Sequence, residues 1–232
     1  MLAGVADRLI ERLLVLQANG RTINVCIAAA TTGSILGGLF IQHPRIAELD
    51  VSRMVLWWGS ENFVDATDPQ RNSTQLLSQI HAAVPLPPGQ AHTMPQRSGY
   101  HDPDEAAYAY AEELDSTRFD LCLVDFGETG RIAGIYPDHP SLTAAQDPQA
   151  KVIGVTGAPG PVPEQITLTF AALNTADQIW IMASGTDRAD ALAAALDEDP
   201  AMPSSYLHAT EGITWIVDEA AATKIPTFHC SL

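Results

Sequence analysis

Short apolar, β-branched runs that alternate with helical segments constrain this chain more than any other feature of its sequence. Thr22 to Ala30, Val51 to Trp58, Phe119 to Phe126, Lys151 to Thr156, Gln178 to Ala183 and Gly212 to Val217 read as strands of the kind covered on both faces. Between them, residues 2–18 place Leu2, Val5, Leu9, Leu13, Leu14 and Leu16 near helical spacing, with Gly20 as a stop. Further helices are expected at Gly33 to Phe40, Ser73 to Ala83, Asp104 to Leu114, Thr167 to Asn174 and Asp187 to Leu196, with Pro85 to Pro103 as a loop. Strands separated by helices imply an α/β fold, a single doubly wound and mainly parallel sheet flanked by helices, with ligands at the carboxyl ends of the strands. One domain spanning residues 1–232 fits this alternation.

Composition narrows the function classes. The formal charge of −16, from 28 acidic and 12 basic residues, repels nucleic acid and anionic membranes, so neither is expected as a partner. The same field opposes an anionic sugar phosphate unless Arg, Lys or backbone N–H groups are concentrated locally. Cys26, Cys122 and Cys230 are widely spaced and form no C-x-x-C pair, which argues for a reducing cytoplasm over a disulfide framework or a thiolate zinc site. The N-terminus carries no export-like pattern, and no run approaches the ~18 apolar residues of a membrane span. His92 and His101 lie near Asp102 and Asp104 without a recognised ligand spacing, so no metal is expected. Ser34 follows Gly33 outside any G-x-S-x-G elbow.

Several loops at the expected strand ends, taken in order, resemble the 6-phosphogluconolactonase family. Val55-Leu56-Trp57-Trp58-Gly59 with Arg71-Asn72 downstream is similar to the family's W-W-G-D-E-R and R-N segments. Phe119-Asp120-Leu121 leading to Gly127, Gly130, Ala133, Tyr136 and Pro137 resembles its F-D and G-x-D-G-H-x-A-S-L-F-P segments. Thr156-Gly157-Ala158-Pro159, Pro161, Pro163 and Ile166-Thr167-Leu168-Thr169 resemble its T-G-A-P-x-P-P-x-R-I-T-L-T stretch, and Trp215 with Asp218 its late W-x-x-D. The resemblance implies a sheet of the glucosamine-6-phosphate isomerase and lactonase type. It also implies hydrolysis of a phosphorylated gluconolactone in the pentose phosphate pathway, a His base acting on water, Arg and Lys holding the phosphate, and no metal or organic cofactor. The family's strand before the first helix has no counterpart here.

At the positions that carry chemistry, the sequence departs from that pattern. Arg131 stands where the family has its His, and a guanidinium that stays protonated cannot take a proton from water. Thr129 replaces the family Asp, and Asp125 stands where the family has Gly. Ser60-Glu61-Asn62 keeps only the Glu of D-E-R, Ala29-Ala30 replaces Gly-Gly, Gln165 replaces an Arg, and Arg188 stands for a Lys. Glu61, Glu128 and His139 are therefore candidate substitute bases, and Thr31, Thr32, Gly33, Arg71, Asn72, Gly130 and Arg188 candidate substrate contacts. The joint loss beside a retained scaffold of Trp57, Trp58, Gly127, Gly130, Pro159 and Trp215 leads to the expectation of a lactonase-fold protein impaired in hydrolysis. Such a protein would bind a phosphorylated sugar or sugar lactone, or a protein partner among the pentose phosphate enzymes. The alternative is an active lactonase, or an enzyme on a related sugar ester, using one of the substitute bases.

Overall fold

The computed structural model describes residues 2–28, 37–39, 42–83, 86–87 and 89–225. A helix, α1 (Leu2–Gln17), leads into β1 (Ile23–Ala28), and β2 (Met54–Trp58), β4 (Ala91–His92), β5 (Leu121–Asp125), β8 (Gln178–Ala183) and β9 (Gly212–Val217) join it. These six strands form one sheet in the order β4-β2-β1-β5-β8-β9, every pair parallel. The expected sheet is therefore present, mostly parallel and flanked by helices. Its strand order reverses between β1 and β5, because the chain runs outward from β1 through β2 to β4 and then returns to β5. In open parallel sheets such a switch point opens a crevice at the carboxyl ends of the two strands.

The apolar runs explain why these segments are the central strands. All five residues of β5 are buried, as are Ile23, Val25, Cys26, Ile27 and Ala28 of β1. On α1, Leu9, Ile10 and Leu13 are fully buried while Arg8 and Glu11 face outward, which is what a 3.6-residue period requires. Each such Leu or Ile contributes about 1.5–3 kcal/mol over its exposed state. A second helix, α2 (Asn72–Ala83), follows β2, and a third, α3 (Pro103–Leu114), starts where the Asp102 carboxylate accepts from the Glu105 N–H at 2.9 Å. Tyr110 on α3 is fully buried, accepting from the Trp58 N–H (2.9 Å) and donating to the His92 carbonyl (2.8 Å). Burial pushes its phenol well above its ordinary range.

A smaller antiparallel sheet, order β3-β7-β6, comes from β3 (Ser60–Asn62), β6 (Val152–Val155) and β7 (Gln165–Leu168). It corrects one expectation: Thr167 to Asn174 is not one helix. Ile166, Thr167 and Leu168 pair with β3 and β6, and only Phe170–Leu173 forms a short helix. The β-branched Ile166-Thr167 pair fits a pleated surface covered on both faces, and both residues are fully buried. The step from the large sheet to the small one is Gly59, whose N–H donates to the Ile27 carbonyl (2.7 Å) and whose carbonyl accepts from Leu168 (2.9 Å). A Cβ there would meet the Ala28 Cβ at 2.7 Å, so only glycine lets the chain cross this close to β1. Of the helix expected at Gly33 to Phe40, residues 37–39 are helical, and the rest lies outside the described residues.

Candidate active site

Beyond Gly59 the chain enters a cleft of about 270 Å³ lined by Ser60, Glu61, Asn62, Asn72, Arg131, Tyr136, Pro159 and Gln165. The small sheet supplies its floor: β3 carries Ser60 to Asn62, and Asn62 pairs with Gln165 of β7. Arg131 enters from the loop after β5. That loop closes through Gly127 N–H to the Arg131 carbonyl (2.9 Å) and Gly130 N–H to the Gly127 carbonyl (3.0 Å), and Phe126 bridges Ile132 beyond it. Gly130 turns at φ +88°, and a Cβ on Gly127 would lie 2.9 Å from the Arg131 Cβ. Two of the glycines retained from the family pattern therefore shape the loop that aims Arg131.

The Arg131 guanidinium is half-buried, donates to the Ala133 carbonyl and stands 5.8 Å from the centre of the Tyr136 ring. Tyr136 in turn donates its hydroxyl to the Gln165 amide oxygen at 3.0 Å. One wall thus holds a cation, a phenol and an amide in register. Among the described residues no other Arg or Lys lines the cleft.

Glu61, only 1% exposed, supplies the cleft's one carboxylate among the described residues. Its Oε1 accepts from the Asn62 N–H (2.9 Å) and the Asn72 N–H (2.8 Å), and its Oε2 from the Ser73 N–H (2.8 Å). Two of those donors open α2, so Glu61 caps a helix that begins eleven residues further along the chain. Three of the roughly four lone-pair sites of a carboxylate are thereby occupied. Arg71, just before α2, is 4% exposed and donates to the carbonyls of Met94 and Pro95. Burial lowers its pKa from the ordinary guanidinium value, and the nearby Glu61 charge offsets part of that effect.

The remaining predicted site residues lie elsewhere. Arg188 donates Nε to the Phe126 carbonyl (2.9 Å) and Nη1 to the Ser184 carbonyl (2.8 Å), which ties β8 to the Gly127 loop. It does not line the cleft, nor does Arg71; Asn72 does. Glu128 is exposed on the Gly127 loop. His139 caps the short helix Pro140–Ala144, its Nδ1 accepting from the Ser141 N–H at 3.1 Å, and it too stands apart from the cleft lining. Thr31, Thr32, Gly33 and the Ala29-Ala30 pair lie outside the described residues. Asp125 is buried at the carboxyl end of β5. Among the described residues no group of three or more His, Cys, Asp or Glu side chains could hold a metal ion, and no helix is long and apolar enough to cross a membrane.

Sequence reasoning missed the Tyr136–Gln165 pair and the capping role of Glu61. Tyr136 entered only as a scaffold match and Gln165 only as a lost cation, and no local spacing announces either contact.

A parallel sheet with its switch point at β1/β5, joined through Gly59 to a small antiparallel sheet, defines an open α/β protein with a crevice at the carboxyl ends of its strands. Residues 1–215 match the family described as glucosamine-6-phosphate isomerases/6-phosphogluconolactonase, and the chain belongs to that family. A 6-phosphogluconolactonase of Streptomyces coelicolor is 32% identical over 240 residues, covering 97% of this chain and 91% of that protein. One of Mycobacterium leprae is 35% identical over 194 residues, covering 78% of this chain and 77% of its own. In fold, the chain is similar to the crystal structure of 6-phosphogluconolactonase from Thermotoga maritima, with a TM-score of 0.80 at 21% identity over 93% of this chain and 94% of that one. It is similar also to a monomeric glucosamine-6-phosphate deaminase, with a TM-score of 0.78 at 17% identity over 96% and 95% of the two chains.

Proposed function

We propose that this chain acts on a phosphorylated sugar lactone, opening the ring ester as a 6-phosphogluconolactonase of the pentose phosphate pathway. The observation that carries the reading is the 32% identity to a lactonase over 97% of the chain. The cleft is compatible with that chemistry through a route that does not use a histidine base. Water adds to the lactone carbonyl, the carbonyl oxygen takes the negative charge, and collapse breaks the ring C–O bond to leave a carboxylate and a hydroxyl. Arg131 is suited to the charge that develops on oxygen, since a fixed donor aimed at such a charge lowers a barrier by about 2.7–4 kcal/mol. It is not suited to removing the proton of water.

The proton is left to solvent, because the Glu61 carboxylate is committed to three backbone N–H donors. Glu128 and His139 do not line the cleft and have no part in this mechanism. The reading extends to one lactonase-like domain over residues 1–232, working in the cytoplasm. A lactone-binding protein without turnover is the second reading, favoured by one observation: the only carboxylate lining the cleft among the described residues already accepts three backbone hydrogen bonds. Hydrolysis of 6-phosphoglucono-δ-lactone, measured against its spontaneous rate, decides between them. Acceleration that saturates with substrate supports the enzyme; saturable binding with the spontaneous rate unchanged supports the binding protein.

A further inference from the structure

A hollow of about 530 Å³, twice the size of the cleft, lies between β8, β9 and the segment that follows the helix Ala189–Leu196, and it shares no residue with the cleft. Its lining is mixed and more polar than apolar, with Glu198, Ser204 and Ser205 beside Ile213 and Trp215 of β9, Leu196 at the end of that helix, and Tyr206. Trp215 is half-buried, held edge-on against Phe126 with centroids 5.3 Å apart, so part of its indole remains open to the hollow. Tyr206 is fixed by stacking on Phe170 at 5.2 Å and by donating to the Pro200 carbonyl at 3.0 Å. Leu196 is 39% exposed, one of only three large hydrophobic side chains that stand out among the described residues.

Two polar features point to an occupant. Ser204 is 8% exposed and lines the hollow, yet its Oγ has no hydrogen-bond partner. A buried hydroxyl without a partner is costly, and this one belongs to a residue of the hollow's lining. Glu198 is the one ionisable carboxylate of the lining; it is exposed, has no ion-pair or hydrogen-bond partner for its side chain among the described residues, and its backbone is held at φ +58°. A non-glycine residue held in that region costs energy that the surrounding turn must overcome, and it carries the carboxylate to the rim. Asp197 and Asp199 flank it in a chain of net charge −16, so the local field selects for positive charge.

We infer that this hollow is a second binding site, for a small organic cation with an aromatic or aliphatic body. The body stacks on Trp215 and Tyr206, whose ring faces also attract a cation, and the ammonium group meets Glu198. Its volume lies within the ~300–1,000 Å³ span of small-molecule sites.

The probe is 2-phenylethylammonium, titrated into the full chain by calorimetry and by ligand-observed NMR, with 3-phenylpropionate as the anionic counterpart of similar shape. Saturable binding of the ammonium is expected, with the propionate weaker by at least about fivefold. Leu196→Trp, which fills the hollow from a partly exposed position, is expected to abolish binding. Glu198→Gln is expected to weaken it about fivefold and to erase the preference for the cation. Lactone hydrolysis should be the same in both variants as in the unaltered chain. No saturable binding of the ammonium, equal binding of the propionate, or binding that survives in Leu196→Trp would each overturn the inference.

Discussion

Replacing Glu61 tests the site from its foundation. In Glu61→Ala three backbone N–H donors, those of Asn62, Asn72 and Ser73, lose their acceptor, and buried Arg71 loses its nearby negative charge. A buried unpaired donor costs about 1–3 kcal/mol, but Asn62 and Asn72 are half-buried, so water recovers part of the loss there. The sum comes to roughly 3–5 kcal/mol, the range found when one partner of a buried charge arrangement is removed. Since total stability is about 5–15 kcal/mol, that is a large share. For a chain of this length, the loss lowers Tm by roughly 6–20 °C. Glu61→Gln keeps one acceptor oxygen and is expected to lose only about 1–2 kcal/mol. The assay pairs thermal unfolding with lactone hydrolysis at a temperature where all three proteins are folded. Glu61→Gln should retain hydrolysis within about tenfold, because a general base contributes about 10²–10⁴-fold and Glu61 is not used as one here. If Glu61→Ala melted within 2 °C of the unaltered chain, or Glu61→Gln kept its Tm and lost hydrolysis a hundredfold, the capping argument would be refuted and Glu61 would be the base.

Three further outcomes follow from the same geometry. Arg131→Ala should reduce kcat about a hundredfold through the lost oxyanion donor, with Tm little changed because the side chain is half-buried; steady-state hydrolysis and a melting curve check both. Gly127→Ala, whose new Cβ meets the Arg131 side chain at 2.9 Å, should lower kcat/KM about tenfold by displacing the guanidinium while far-UV circular dichroism stays unchanged. Asp218 accepts from Ser184 Oγ, the Gly185 N–H and the Ala221 N–H, which together hold its carboxyl below its usual value of 3.8. A depressed folded pKa gives stability that is full above the unfolded value and is lost as pH falls through the folded one. Asp218→Asn should therefore melt roughly 2–4 °C lower at pH 7, and the gap should close below about pH 4.

The large sheet was legible because its strands are buried on both faces and so appear as unbroken apolar runs: Val25 to Ala28 and Leu121 to Val124 can hardly be anything else. The small sheet was not. Its β6 fell within the run expected at Lys151 to Thr156, but β3 is the polar tripeptide Ser60-Glu61-Asn62, too short for a period to show, as is β4 (Ala91-His92) at the edge of the large sheet. β7 runs almost directly into the helix Phe170–Leu173, so Leu168, Phe170, Ala171, Ala172 and Leu173 together mimic a longer helical pattern. Of the site, Arg131 was legible only through the family resemblance, as the residue that stands where the family has its His. The Glu61 cap was not, because its donors begin a helix eleven positions away and no local capping signature marks them. Tyr136 and Gln165 meet across 29 residues, a contact set only when the Gly127 loop and β7 pack together.

The central claim is that Arg131 catalyses lactone opening by holding charge, with no histidine base at the carbonyl. The pH dependence of kcat/KM for 6-phosphoglucono-δ-lactone, corrected for spontaneous hydrolysis, tests it most directly. With water as the nucleophile and its proton left to solvent, log kcat/KM should stay flat across about pH 5 to 8, and Arg131→Ala should lower the whole line without changing its slope. A plateau above a single pKa in that window would reveal a titrating base and contradict the account, as would an Arg131→Ala variant as active as the unaltered chain.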